Sequence, residues 1–226
     1  VASLSVIVPA LDEESCLPRL LPVLAASGAE ILVVDGGSGD RTVAVAREVR
    51  GVRVLEAERP RSAQLNAGAV AASGEILLFL HADALPPPGF AGQIVLALAD
   101  PGVMGGAFAL ALDDDCLAAR VVAAGANLRT RITGHPYGDQ GIFVRRGAFE
   151  QLGGFAPLPW MEDLDFVFRL SRHGRLCLLP QRVTVSTRRW RQQGYVRTTA
   201  RNTVLAACFY LGLDPRRFAH WMTPRR

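Results

Sequence analysis

The sequence predicts an α/β fold, a Rossmann-like, mostly parallel sheet with helices on both faces, and three observations predict it. Apolar runs of strand length recur in the first hundred residues, at 4–8, 30–34, 52–55 and 76–80, with segments of helical spacing between them. The run Leu77-Leu78-Phe79-Leu80 lacks polar alternation, a pattern that only a sheet covered on both faces accommodates. Two of the four runs end in polar turns, Asp35-Gly36-Gly37-Ser38 and His81-Ala82-Asp83, and the carboxyl ends of strands are where an open α/β sheet holds ligands.

Taken in order, Leu4 to Val8 is a β-branched strand stopped by Pro9, ending near position 8. Leu17, Leu20, Leu21 and Leu24 then recur at helical spacing behind the acidic Asp12-Glu13-Glu14, and Gly28 ends that helix. The strand 30–34 runs into a glycine-rich turn, with Asp40 as N-cap of a helix over 43–49. A third strand covers 52–55, and Ser62 caps a helix reaching Ser73-Gly74. The fourth strand, 76–80, precedes Pro86-Pro87-Pro88, which opens a helix through Leu98 because proline suits a first turn. In the second half the spacing predicts a strand over 103–112, a helix over 117–132, a loop over 134–141, a strand at 142–144, a helix from Met161 to Arg172 and a last strand over 175–179.

Composition narrows the classes. A chain of 226 residues, half of them hydrophobic, buries a full core without staples. Cys16, Cys116, Cys177 and Cys208 show no paired spacing, so reduced, mostly buried thiols are expected. No membrane-span run is present and the start lacks a signal layout, so a cytoplasmic body is expected. A net charge of +4 does not indicate a nucleic-acid binder. All 25 basic residues are arginine, crowding the last third, where planar forks favour phosphate and anionic surfaces.

Three acidic points stand out. Asp35, before Gly-Gly-Ser-Gly, either accepts from a base or ribose or only caps a turn; the dinucleotide fingerprint is absent. Asp83 either is a carboxylate of the kind that holds magnesium or manganese together with a substrate diphosphate or only caps a solvated strand end. Glu162 and Asp163 open a helix, where one can serve as general base, or both are ordinary N-terminal acids.

In order, Pro9-Ala10-Leu11-Asp12-Glu13-Glu14, Val33-Val34-Asp35-Gly36-Gly37-Ser38-Gly39-Asp40, Arg61-x-x-Gln64-x-Asn66-x-Gly68, Phe79-Leu80-His81-Ala82-Asp83, Gly138-Asp139-Gln140-Gly141 and Glu162-Asp163 make the chain resemble family 2 glycosyltransferases over residues 3–190. More narrowly it is similar to the bacterial radical-SAM/selenodomain-associated subgroup. The resemblance implies a GT-A fold, a UDP- or GDP-sugar donor, Mn2+ or Mg2+, and inverting transfer to a hydroxyl. By resemblance Pro9, Asp12 and Glu14 line the nucleoside pocket and Asp35 recognises the base. Arg61 and Asn66 match positions near the base, ribose or diphosphate. His81, Ala82 and Asp83 occupy the Asp-x-Asp position with Asp83 on the metal, and Asp163 matches the catalytic base, with Glu162 beside it. Gly106 and Ala107, with Asp139 and Gln140, lie beside sugar and acceptor. Two departures are Gly36, where the family's second Asp stands, and His81, where the first Asp of Asp-x-Asp stands.

The reaction itself asks for a metal and arginines at the leaving diphosphate and a carboxylate to take the acceptor proton. Arg188, Arg189 and Arg191 are the cationic candidates, with Arg189 assigned to the donor. Arg188-Arg189-Trp190 is similar to the family's Gln-x-x-Arg-Trp, but Ser186 replaces the glutamine, which argues against processive polymerisation. Trp160 either stacks on a sugar or acceptor ring or packs in the core. His135 and His173 are read as surface or hydrogen-bonding residues rather than metal ligands.

The domain expected is 1–190, with a nucleotide-binding half over 1–100 and an acceptor half over 101–190. Residues 191–226 are a C-terminal helical extension that packs on the domain, on a dimer partner, or on a membrane next to a lipid-linked acceptor at the inner face of the cell membrane. Two rival functions remain: a non-catalytic nucleotide-sugar-binding homologue, and a nucleotidyltransferase, which would want a basic glycine-rich loop where Asp12-Glu13-Glu14 stands.

Overall fold

A computed structural model describes residues 2–214. The parallel half of the sheet is built from β1 (Leu4–Ala10), β2 (Glu30–Asp35), β3 (Val52–Glu56) and β4 (Ile76–Phe79), joined by α1 (Leu17–Ala25), α2 (Thr42–Glu48) and α3 (Arg61–Ala71). The chain continues through β5 (Ala84–Leu85), α4 (Phe90–Ala97), β6 (Val103–Leu112), α5 (Leu117–Thr133), a 3-10 turn at Gly138–Gln140, β7 (Ile142–Arg145), α6 (Arg146–Gln151), α7 (Glu162–Leu170), β8 (Arg175–Val185), α8 (Arg188–Gln193) and α9 (Tyr195–Tyr210). Among the described residues one eight-stranded sheet has the order β3-β2-β1-β4-β7-β6-β8-β5.

β1 to β4 pair in parallel, β7 runs antiparallel to both β4 and β6, and β6 and β8 are again parallel. Alternate side chains of the buried strands face opposite layers, as a period of two requires. Val6, Val8, Ile31 and Leu78 join α1 and α4 on one face, and Ile7, Leu32, Leu77 and Phe79 join α3, α6 and α7 on the other. Phe79, Phe149, Phe155 and Phe166 form an aromatic cluster on the second face, with centroids 4.7–5.6 Å apart. This is the GT-A architecture, a mixed α/β sheet covered on both faces.

Several local expectations shift. β1 continues through Pro9 to Ala10, with Pro9 opposite Val34 and Ala10 opposite Asp35. The three prolines precede α4 rather than opening it, because Gly89 at φ 70 turns the chain into the helix. Pro60, not Ser62, is the N-cap of α3, and Ser62 is buried. β8 passes through Pro180 to Val185, since the register steps from Phe108 opposite Leu179 to Ala109 opposite Arg182 and bulges the proline out of the ladder. None of the four free cysteines is fully buried. The described part of the C-terminal extension packs α9 on α5, with Leu205 and Ala206 buried. Residues 215–226, including Trp221 and Arg216, Arg217, Arg225 and Arg226, lie outside the described residues.

Candidate active site

The first wall of the site is two loops laced together at the carboxyl ends of β1 and β2. The Gly39 amide donates to Asp12 Oδ1 at 2.8 Å, and the Asp12 amide donates to Ser38 Oγ at 3.0 Å. Thr42 Oγ1 accepts from the Glu13 amide at 2.8 Å, Asp40 accepts from the Glu14 amide at 3.1 Å, and Glu14 accepts from the Arg41 amide at 2.9 Å. Asp12 holds a left-handed backbone, φ 55, to make these contacts. Asp12 and Glu14 thus brace the two loops against each other with their carboxylates, a role that the residue types alone did not show.

Asp35 is 3% exposed and accepts from the Gly37 and Ser38 amides at 2.9 and 3.0 Å and from Ser38 Oγ at 2.5 Å. Its carboxylate fixes the turn beside Ala10. Gln64, three residues beyond Arg61 on α3, reaches across the paired ends of β1 and β2. Its Nε2 donates to the Ala10 and Val34 carbonyls at 2.9 and 3.0 Å. A Cβ at Gly36 would lie 2.6 Å from Gln64 Nε2. An aspartate there would have to push the Gln64 amide aside.

The second wall joins α3, the end of β4, the 3-10 turn and α7. Arg61 Nε donates to Glu162 Oε1 at 2.5 Å, and Arg61 Nη1 lies 3.2 Å from His81 Nε2. Burial, then the Arg61 and Arg189 charges, hold the His81 imidazole well below its ordinary range, so the ring is neutral and accepts from Arg61. Burial raises the Glu162 carboxyl against the pull of Arg61. Asp163 sits at the start of α7 after Met161, itself left-handed at φ 64. Its Oδ2 accepts from the Gly138 amide at 2.6 Å and its Oδ1 from the Leu164 amide at 2.8 Å. A Cβ on Gly138 would lie 2.8 Å from Asp163 Oδ2 and 3.1 Å from His81 Nε2, so this glycine lets the two side chains close on one backbone point.

Asp83 and Asp139 complete the acidic set. Burial, then the Glu13 charge, raise the Asp83 carboxyl against Arg189 and Arg188. Burial pushes Asp139 up to about 6 against Arg129, with Asp163 and Asp83 adding to the rise. Of the three arginines of α8, Arg188 pairs with Glu13 at 3.1 Å and Arg191 with Asp114 at 3.0 Å. Arg189 makes no ion pair among the described residues, and its charge falls on His81 and Asp83.

Several expected residues are drawn elsewhere. The Asn66 amide clamps the backbone of Phe155 in both directions, each bond 2.9 Å, which turns it to the α7 approach rather than to a donor. Gly106 and Ala107 are buried inside the sheet, and a side chain on Gly106 would overlap Cys177 and Phe143, so neither lies open beside a sugar. Gln140 is fully buried, accepting from Thr130, Arg129 and the Tyr137 amide and donating to the Phe108 carbonyl. It pins the turn that carries Gly138. Trp160 is half-buried in the loop before α7. His135 bonds Tyr210 and Ser171 at 3.2 Å, and His173 bonds the Arg169 carbonyl, so both are locally engaged.

Among the described residues no group of three or more His, Cys, Asp or Glu side chains forms a metal cage. The donor set fits a different mode. Asp83 and Glu13 carry like charges that a cation would relieve, and magnesium or manganese is commonly held by one or two carboxylates together with substrate phosphates.

The carboxylates, arginines and neutral histidine of both walls gather at the end of the sheet where β1, β2 and β4 finish. The chain belongs to glycosyl transferase family 2, whose model matches residues 5–120, and it is a glycosyltransferase. No curated protein matches it. Its structure is similar to that of the mannosyltransferase PcManGT from Pyrobaculum calidifontis in complex with GDP-Man and Mn2+, with a TM-score of 0.73 at 23% identity over 96% of this chain and 67% of that one. It is also similar to glucosyl-3-phosphoglycerate synthase from Mycobacterium tuberculosis in complex with Mg2+ and UDP, at 0.65 and 20% over 94% of this chain and 80% of that one. For S. aureus TarS the values are 0.66 and 18% over 88% of this chain, which spans 39% of TarS.

Proposed function

We propose that this chain moves a sugar from a UDP- or GDP-sugar to an acceptor hydroxyl with inversion at the anomeric carbon. The observation that carries the reading is the convergence of Asp163 and His81 on Gly138, with Arg61 on His81 and Asp83 in the turn that follows β4. The laced loops with Asp35 form the nucleoside floor, and Arg189 and Arg61 meet the diphosphate. Asp83 would hold Mn2+ or Mg2+, which when bound offsets the charge of the leaving diphosphate. Asp163, fixed by two backbone amides, accepts the acceptor proton as the hydroxyl oxygen bonds to the anomeric carbon and the sugar–phosphate bond breaks with its electron pair on the diphosphate. His81, neutral and held by Arg61, has no charge to set against the sugar's developing positive character. A soluble or membrane-adjacent acceptor and a dimer are both compatible with this chemistry. No described helix is long and apolar enough to cross a membrane.

The test is binding and turnover with purified protein, Mn2+ and a set of UDP- and GDP-sugars. Sugar transfer or slow donor hydrolysis that vanishes in Asp163→Asn, with donor binding retained, is expected. Absence of micromolar binding by UDP, GDP or their sugars would sink the reading.

A further inference from the structure

The acceptor's chemistry can be read from a second cavity, an inference that rests on the glycosyltransferase reading above. Between α5 and α9 lies a space of about 570 Å³, within the range of small-molecule sites. Its apolar wall includes Val121, Gly125, Ala126 and Ala206, and its polar wall includes Arg129 and Asp139. Asp139 follows Gly138, whose amide holds Asp163, so the polar wall adjoins the carboxylate assigned as base.

Three features point to an occupant. Arg129 Nε and Asp139 Oδ1, like Trp190 Nε1, Thr199 Oγ1 and Asn202 Oδ1 of the same lining, are buried without a hydrogen-bond partner among the described residues, although such atoms are nearly always paired. A hydroxyl satisfies the first two, accepting from the guanidinium N–H and donating to the carboxylate oxygen. A phosphate would meet Arg129 but be repelled by Asp139. The second feature is Gly125, a helix-weakening residue inside the seventeen-residue α5; a Cβ there would find no atom within 4 Å. Nothing in the described protein uses the space that this glycine leaves. Third, Leu117, Val121, Leu128 and Ile132 are 76%, 61%, 57% and 75% exposed along α5, and Val121 also lines the cavity, so the cavity mouth opens on an apolar surface.

We propose that the acceptor is an uncharged amphiphilic alcohol with more than one hydroxyl, one held by Arg129 and Asp139 and a second left free to give its proton to Asp163, its apolar body lying between α5 and α9. The same chemistry describes an alcohol drawn from a bilayer and a free hydrophobic alcohol.

Calorimetric titration of the full chain with 1-octanol, 1-butanol and octyl phosphate tests this, with UDP and GDP in Mn2+ titrated in parallel. 1-Octanol is expected to bind at least about tenfold more tightly than 1-butanol, from its additional buried methylenes, and more tightly than octyl phosphate. Gly125→Phe should weaken 1-octanol at least about tenfold by filling the cavity, with nucleotide affinity and thermal stability kept; Gly125→Ala should retain 1-octanol. Ala126→Met is the second filling variant, and should act as Gly125→Phe does. Equal affinity for both alcohols, tightest binding of octyl phosphate, or 1-octanol binding unchanged in both filling variants overturns the proposal. Nucleotide binding without 1-octanol binding overturns the acceptor class alone and leaves the transferase reading standing. 1-Octanol binding without any nucleotide binding overturns both. Flotation with phosphatidylcholine vesicles carrying oleyl alcohol separates the sources: co-flotation lost in Gly125→Phe supports a bilayer alcohol, and no flotation with 1-octanol binding intact supports a free one.

Discussion

The Asp163 carboxylate and the Gly138 amide are joined by a hydrogen bond of 2.6 Å, which ties the start of α7 to the turn before β7. This bond orients a carboxylate without neutralising it. Asp163→Asn keeps an oxygen that can accept from Gly138, so the fold and donor binding should persist. Turnover should fall by about 10² to 10⁴, the usual share of a general base. Steady-state rates beside nucleotide titrations check this; a variant with full activity would remove Asp163 from the chemistry.

Arg61 and Glu162 form the most buried ion pair at the site, with Glu162 1% exposed. Removing one partner of a buried pair costs about 3–5 kcal/mol, and the 35% exposure of the Arg61 side chain reduces this by screening. Arg61→Ala should therefore cost about 2 kcal/mol in urea denaturation. Adding Glu162→Gln should recover about half of that, because the stranded charge is gone. Strictly additive losses in the double variant would show that the pair is not coupled.

Asp139 sets a pH dependence. Its folded pKa of about 6 lies above the ordinary 3.8, so the native state binds the proton more tightly than the unfolded chain. Stability then falls as pH rises from 3.8 to about 6, and the penalty is fully present above that. Wild type should be less stable than Asp139→Asn at pH 7.5, by up to about 3 kcal/mol, with the gap closing toward pH 4. Glu30, lowered to about 2 although burial opposes it, through bonds from Ser5, Ser73 and Arg53, acts in the opposite sense at lower pH. It is common to both proteins and drops out of the difference. Urea curves across this range decide it, and a gap constant with pH would contradict the assignment.

Metal use should run through Asp83. With Mn2+ present, UDP or GDP should raise the melting temperature, and EDTA should remove most of that rise. Asp83→Asn in Mn2+ should resemble wild type in EDTA, and EDTA should then have no further effect. A nucleotide shift that EDTA leaves unchanged would exclude a metal bridge between Asp83 and the diphosphate.

Gly36 and Gln64 make a steric prediction. Gly36→Asp, which restores the family's usual residue, brings a Cβ to 2.6 Å from Gln64 Nε2 and should displace that amide from the Ala10 and Val34 carbonyls. A loss of about 1–3 kcal/mol is expected from overpacking. Nucleotide binding should weaken rather than improve. Improved binding in the stable variant would show that the missing carboxylate, not the packing, limits this pocket.

The strands of the parallel half were legible because each is a short, mostly apolar run bounded by turn residues, and Asp83 and Asp163 drew notice because an acid at a strand end or helix start is conspicuous. Other features depended on distant partners. Asn66 is engaged by Phe155, 89 positions away, and Arg61 by Glu162, 101 positions away, so their residue types did not reveal which groups they face. β5 has two residues and takes its identity from pairing with Thr184 and Val185. The second half of β8 was hidden by Pro180, which ends most strands and is tolerated here by a bulge. Gly106 was placed beside the sugar by resemblance alone, yet its missing side chain is required by Cys177 and Phe143 across the sheet.

The laced loops at Asp12–Glu14 and Ser38–Thr42 have a thermodynamic corollary. Backbone already held by cross-loop bonds has little conformational freedom left to lose when a nucleoside docks. Heat-capacity change on nucleotide binding should then track the apolar area covered by the base, without the larger negative contribution that accompanies folding of a recognition loop. If these loops receive the nucleoside as proposed, they act as a mould rather than a clasp, with selectivity set before the ligand arrives.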